Sequence, residues 1–197
     1  MSDLVSSNWH PVDIITLSGS GEPTLATNIG EVISQAKALT GKPTLVLTNS
    51  AHLHLAEVRR DIVRADKIFC KLDASDERTL KWMDRPCEGI TLGQIVAGIK
   101  RLRSEYTGFL AIQTMLTRIN RDRLDGMAEL LLAIQPDEVQ LNLPSRPIPS
   151  VWDLSARGAS KVNAGTLLKS LTAAEVWDFQ ERLIRATGLS VVSAPNN

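Results

Sequence analysis

Five short apolar runs punctuate the chain, at Asp13–Ser18, Thr44–Thr48, Lys67–Leu72, Phe109–Met115 and Glu138–Leu143, and each has the length of a buried strand. Between them apolar positions fall at helical spacing. Ile29, Val32, Ile33, Ala36 and Leu39 make one stripe, and Leu92, Ile95, Val96, Ile99 and Leu102 a second. Leu124, Met127, Ala128, Leu131 and Ile134 make a third; Val176, Trp177, Phe179, Leu183 and Ile184 make a fourth. A weaker helix over 55–64 rests on Leu55, Val58 and Ile62. Asn28 with Glu31, Thr91 with Gln94 and Thr172 with Glu175 have capping-box spacing, and Gly41, Gly108 and Gly188 stand where a left-handed residue closes a helix. Every gap between strands is long enough for a helical crossover, so the strands are expected to be parallel and the class α/β. Ligands of such folds sit at the C-terminal ends of the strands, in a barrel and in an open sheet alike.

Length and charge narrow the function. The 197 residues, 43% hydrophobic and 22% charged, suit a single domain, with 13–149 as a βα core and 150–197 as a loop and helix packed on it. Twenty-two basic and 22 acidic residues cancel, which argues against nucleic-acid and membrane-surface partners, because both need concentrated positive charge. The basic stretches Lys100–Arg103 and Arg118–Arg123 are interleaved with apolar helix positions or with Asp122 and read as solvated faces. No apolar run approaches the roughly 18 residues of a membrane helix, and MSDLVSSNWHPVD lacks the pattern of a signal peptide, so the expected compartment is the cytoplasm. Cys70 and Cys87 are the only cysteines, too few for a disulfide framework or for an iron–sulfur site built on three thiolates.

The first strand runs into Ser18–Leu25, SGSGEPTL, where Gly19 and Gly21 let the backbone approach a ligand, Glu22 adds a carboxylate and Pro23 fixes the turn. The segment lacks the third glycine of a dinucleotide fingerprint and the Lys-Ser/Thr of a P-loop. ITLSGSGEPTL (15–25) resembles the Gly-Gly-Glu-Pro motif of the radical S-adenosylmethionine (SAM) superfamily. LTNS (47–50) is similar to the Thr-Asn-Gly that follows a later strand of that fold. The stretch 59–86, with Asp73 at a strand end and Asp-Arg-Pro after a short helix, and VQLNLPSRPIP (139–149) also resemble segments of the superfamily in the same order.

The resemblance implies a partial (βα) barrel of radical SAM type, here with about five parallel strands and its first βα unit missing. It further implies a site at the strand tops for SAM beside a [4Fe–4S] cluster. Carried over by position, Gly21 and Glu22 would face the methionine amino group, and Gly19 and Asn49 are further cofactor-binding candidates. Thr48, Asp73 and Gln113 would lie near the ribose and carboxylate, and Gln140 and Asn142 would project together into the barrel interior. The superfamily's C-x-x-x-C-x-x-C loop has no counterpart in this sequence. The expectation is therefore a truncated core, inactive as this chain, that keeps a cavity for SAM or another small molecule. Two alternatives stand beside it: an interaction module, and a fragment of an active enzyme whose cluster loop lies upstream.

Other residues have blander readings. Cys70 reads as a small buried hydrophobe and Cys87 as an exposed loop thiol. His52 and His54 are half of a metal site without a third ligand. Lys71 beside Asp73 reads as an ion pair before a Schiff-base lysine. Trp82, Trp152 and Trp177 read as packing, with Trp152 near the Arg146–Ser150 segment lining a pocket at most. The strand at 13–18 would form an apolar edge without charge or proline, to be covered by the N-terminal residues, a second copy in a homodimer, or a partner chain.

Overall fold

A computed structural model describes residues 9–18, 21–144 and 171–193. Strands and helices alternate along it. β1 (Ile15–Leu17) leads through one 3-10 turn (Pro23–Leu25) into α1 (Ile29–Thr40), followed by β2 (Thr44–Thr48) and α2 (Ala56–Ile62). β3 (Lys67–Lys71) is followed by two helices, α3 (Glu77–Met83) and α4 (Leu92–Glu105). Then come β4 (Phe109–Met115), α5 (Leu124–Ile134), β5 (Glu138–Asn142), α6 (Ala173–Thr187) and β6 (Val191–Ser193).

All six strands are parallel, and their order in space is their order in the chain. A doubly wound sheet reverses its strand order at a switch point; this sheet never does, and so it forms the wall of a partial barrel. Strand parity locates the core. Val46, Ile68, Cys70, Leu110, Ile112, Val139 and Leu141 pack with the helix stripes in one hydrophobic cluster. The alternate residues, among them Phe69, Lys71, Gln113, Gln140 and Asn142, face the other, concave side and are half-buried.

The helix termini follow local chemistry. Thr91 and Thr172 each form a full capping box with Gln94 and Glu175, as the spacing predicts. Gly41 and Gly188 close α1 and α6 with φ of 65° and 68°. Asn28, by contrast, makes no side-chain cap bond to α1. Gly108 is not a left-handed cap either: α4 ends at Tyr106 in extended backbone, and a Cβ on Gly108 would collide with the Tyr106 ring and hydroxyl.

Three further expectations need correction. Among the described residues the sheet has six strands, because Val191–Ser193 pairs beside β5 and so makes the C-terminal segment part of the sheet. The first strand is three residues long, half the predicted length. Trp82 and Trp177 are 52% and 68% exposed and do not pack in the core. Trp152 and Arg146–Ser150 lie outside the described residues.

Candidate functional site

The ends of β1, β2 and β3 and the segment after α3 enclose a cavity of about 600 Å³, inside the range of small-molecule sites. Its polar wall includes Glu22, Asn49, His52, Lys71, Asp73, Asp84, Arg85 and Glu88; Leu72, Leu80, Ile90 and Ile95 give it an apolar side.

Glu22 is the most tightly held of the sequence-predicted residues. Its Oε1 accepts from the Thr24 N–H (3.1 Å), the Thr24 hydroxyl (2.6 Å) and the Thr48 hydroxyl (2.6 Å). Its Oε2 accepts from the Asn49 N–H at 2.7 Å. The carboxylate thus caps the 3-10 turn and also ties β1 to β2. Three of its four bonds fall on one oxygen, which leaves Oε2 with capacity for another donor. None of the ion pairs among the described residues involves Glu22.

The turn after β2 explains how Asn49 is presented. Ser50, where the resembled Thr-Asn-Gly motif carries glycine, has φ of 68°. Its N–H donates to the Thr48 hydroxyl (3.1 Å) and its own hydroxyl donates to the Lys71 carbonyl (3.0 Å), which hold the left-handed backbone in place. At Gly21 an added Cβ would meet nothing within 4 Å among the described residues. Packing against the described residues therefore does not demand glycine there. Gly19 lies outside the described residues.

The second cluster is Lys71 with Asp73 and Asp84. The Lys71 ammonium lies 2.5 Å from Asp73 Oδ2 and is also paired with Asp84. Asp73 is only 3% exposed, and its Oδ1 accepts the Met115 N–H at 2.8 Å. Burial pushes the Asp73 carboxyl up to about 6; Lys71 pulls it down, and the Asp84 charge adds to the rise. The two carboxylates outweigh the burial of Lys71 and raise its ammonium above the ordinary lysine value. Such a raised ammonium is the opposite of the lowered, readily deprotonated amine that a Schiff-base lysine presents. Asp84 carries no strand-end signal of its own; only its place in the Asp-Arg-Pro stretch marked it.

The remaining predicted residues separate from the cavity. Thr48 lies buried beneath Glu22. The Gln113 amide donates to Gln140 Oε1 (2.9 Å), and the Gln140 amide donates to Glu138 Oε1 (2.7 Å), as a polar row across the concave face. Asn142 shares that face, and its carbonyl accepts the Leu116 N–H at 2.8 Å. None of Gln113, Gln140 and Asn142 lines the cavity.

The donors present do not fit an iron–sulfur cluster. Cys70 is fully buried on the helix side of β3, and burial pushes its thiol up to about 12, far from the thiolate that iron requires. Cys87 is exposed at the cavity rim. His52 lines the cavity too, while His54 Nδ1 is 3.0 Å from the Ala51 carbonyl. Among the described residues no three His, Cys, Asp or Glu side chains gather as a metal site. Nor, among them, is any helix long and apolar enough to cross a membrane.

No family model matches the chain. Solved structures match its fold at low identity. Archaeal TYW1 has a TM-score of 0.67 and 18% identity, covering 93% of this chain and 53% of that one. A domain of pyruvate-formate lyase-activating enzyme from Bacteroides vulgatus gives 0.67 and 15%, covering 92% and 98%. Streptococcus suis SuiB bound to S-adenosylmethionine gives 0.64 and 16%, covering 92% and 39%. The fold is thus the partial barrel shared by radical SAM enzymes. By sequence, a UPF0026 protein of Methanocaldococcus jannaschii is 29% identical over 143 residues, 71% of this chain and 44% of that protein. A UPF0026 protein of Synechocystis sp. is 42% identical over 193 residues, 95% of this chain and 72% of that protein. The chain belongs to the UPF0026 family.

Proposed function

We propose that the chain binds S-adenosylmethionine in the cavity at the ends of β1–β3, as a radical SAM-type core whose own residues hold no iron–sulfur cluster. The observation that carries this reading is Glu22, a carboxylate fixed by four hydrogen bonds at the cavity wall with Oε2 open to a ligand ammonium. SAM brings two positive centres, its ammonium and its sulfonium. The cavity lining sets four carboxylates against Lys71 and Arg85. Leu72, Ile90 and Ile95 offer the apolar surface that a purine ring needs. No described residue crowds the position of a Cβ on Gly21, which suits close approach of a ligand to the backbone. SuiB, which shares the fold, has been solved with SAM bound.

In this reading Glu22 orients the amino group, and Asn49 and Asp73 contact the nucleoside or methionine moiety. Gln113, Gln140 and Asn142 line the adjoining concave face rather than the cavity itself. Calorimetric titration of SAM tests the site. Saturable one-to-one binding, weakened about tenfold or more in Glu22→Gln, is the expected result. Anaerobic reconstitution of the same chain with iron and sulfide should leave iron at background. Absence of SAM binding, or iron near four per chain, overturns the reading.

A second reading, in which the chain pairs with a second copy or a partner through β1, has a narrower basis. β1 is an edge of the sheet among the described residues, but three residues offer few free backbone groups.

A further inference from the structure

α3 separates two hollows. Leu80 and the following Asp84 border the large cavity. Arg78 and Trp82, one turn apart on the opposite face of the helix, border a second hollow of about 240 Å³, completed by Thr79, Ile119 and Arg123. We infer that this notch binds a phosphorylated aromatic group of mononucleotide size, with the ring against Trp82 and the phosphate between Arg78 and Arg123. The inference does not depend on SAM occupying the large cavity.

Three observations carry it. The first is an indole left half in water beside a guanidinium. Trp82 is 52% exposed, and the Arg78 guanidinium sits 6.0 Å from its ring centroid, an arrangement that extends readily to a stacked base. The second is charge. Arg78 enters no ion pair among the described residues. Arg123 lies 3.5 Å from Asp76, whose carboxylate is already engaged as the α3 cap by the Thr79 N–H and hydroxyl, both at 2.8 Å. The notch is thus lined by two guanidinium groups, of which only Arg123 lies near a carboxylate that is already committed, and such forks match phosphate oxygens.

The third observation is that the floor is built before any ligand arrives. Asn120, buried next to the lining residue Ile119, accepts the Thr117 N–H (2.8 Å) and donates to the Asp73 and Met115 carbonyls, both at 2.9 Å. Gly126 lets α5 approach so closely that a Cβ there would lie 2.9 Å from the Ser75 hydroxyl. Thr79 is buried at the base. The notch therefore rests on an ordered base, above which Arg78, Trp82 and Arg123 are exposed to a ligand. Its volume admits one ring with a phosphate at the mouth, and not a dinucleotide.

The test is a titration of the full chain, labelled with nitrogen-15 in its indoles, with adenosine monophosphate, adenosine and inorganic phosphate. The monophosphate should shift one indole N–H signal, the one missing in Trp82→Phe. Adenosine and phosphate should each bind about tenfold more weakly, and Arg78→Ala and Arg123→Ala should each weaken the monophosphate by about fivefold. SAM calorimetry on the two arginine variants should match wild type, which separates failure of the notch from failure of the cavity. A single-stranded adenylate oligonucleotide distinguishes the sources: tighter binding than the monophosphate points to a nucleotide within RNA, and equal binding to a free nucleotide. No shift of the Trp82 signal, a shift that survives both arginine variants, or phosphate alone binding as well as the monophosphate overturns the inference.

Discussion

The two faces of α3 teach how one short helix divides chemistry. On one face Leu80 and Asp84 border a cavity where carboxylates outnumber cations and Glu22 is locked by its neighbours. On the other, Arg78 and Trp82 border a notch where guanidinium groups dominate. Seven residues suffice because Asp76 caps the helix and Thr79 and Leu80 anchor it in the core. The two regions also differ in what fixes them. The cavity is organised by hydrogen bonds to buried or half-buried carboxylates. The notch is organised by its floor, with its charged side chains lying at the surface. A cationic ligand belongs on the first face and an anionic one on the second.

The largest expected effect breaks that division on one side only. Glu22→Ala removes the acceptor of four donors and leaves the Thr48 hydroxyl and the Asn49 N–H without their partner. SAM affinity should fall about a hundredfold, while monophosphate binding at the notch stays within twofold. Parallel calorimetric titrations of both ligands check this. Comparable losses for both would show that the faces are not independent.

Asn120→Ala strikes the foundation they share. Asn120 joins the Asp73 and Met115 carbonyls and the Thr117 N–H in the interior. Its truncation strands several buried polar groups and should cost about 2–3 kcal/mol in denaturant unfolding. A loss within about 0.5 kcal/mol would mean that this loop is not a structural joint.

The pH dependence sharpens the contrast. With burial raising its carboxyl to about 6, Asp73 gains charge as pH climbs from 5 to 7.5. Affinity of the cavity for a cationic ligand should therefore rise about tenfold across that range, and the rise should flatten in Asp73→Asn. The folding consequence has the opposite sign. A raised carboxyl favours the folded state in acid, and that contribution fades as pH climbs from the ordinary carboxylate value to about 6. Stability measured by denaturant at pH 5 and pH 7.5 reads this directly. The smallest effect belongs to Cys87→Ser, exposed at the cavity rim, which should leave SAM affinity within twofold of wild type.

Strand runs, helix stripes and two capping boxes were legible because each is a local pattern. What escaped was set by distance or brevity. β6 is three residues long and has no run to announce it. Lys71 and Asp73 were visible as neighbours, but Asp84 reaches Lys71 only because α3 folds back over the strand end. Glu22 stood out in SGSGEPTL, whereas its bond to Thr48 crosses 26 positions. Gln140 and Asn142 alternate with Val139 and Leu141 and share the concave face with Gln113, yet strand parity does not say how far along the face a cavity extends. Trp82 looked like packing; its spacing of four from Arg78 was the available clue to an exposed helix face.

The most direct test of the account is calorimetric titration of SAM into the iron-free chain at pH 7.5, beside Glu22→Gln. Saturable one-to-one binding by the wild type, at least about tenfold weaker in the variant, is the result the account expects. No binding by the wild type, or equal binding by both proteins, would contradict it.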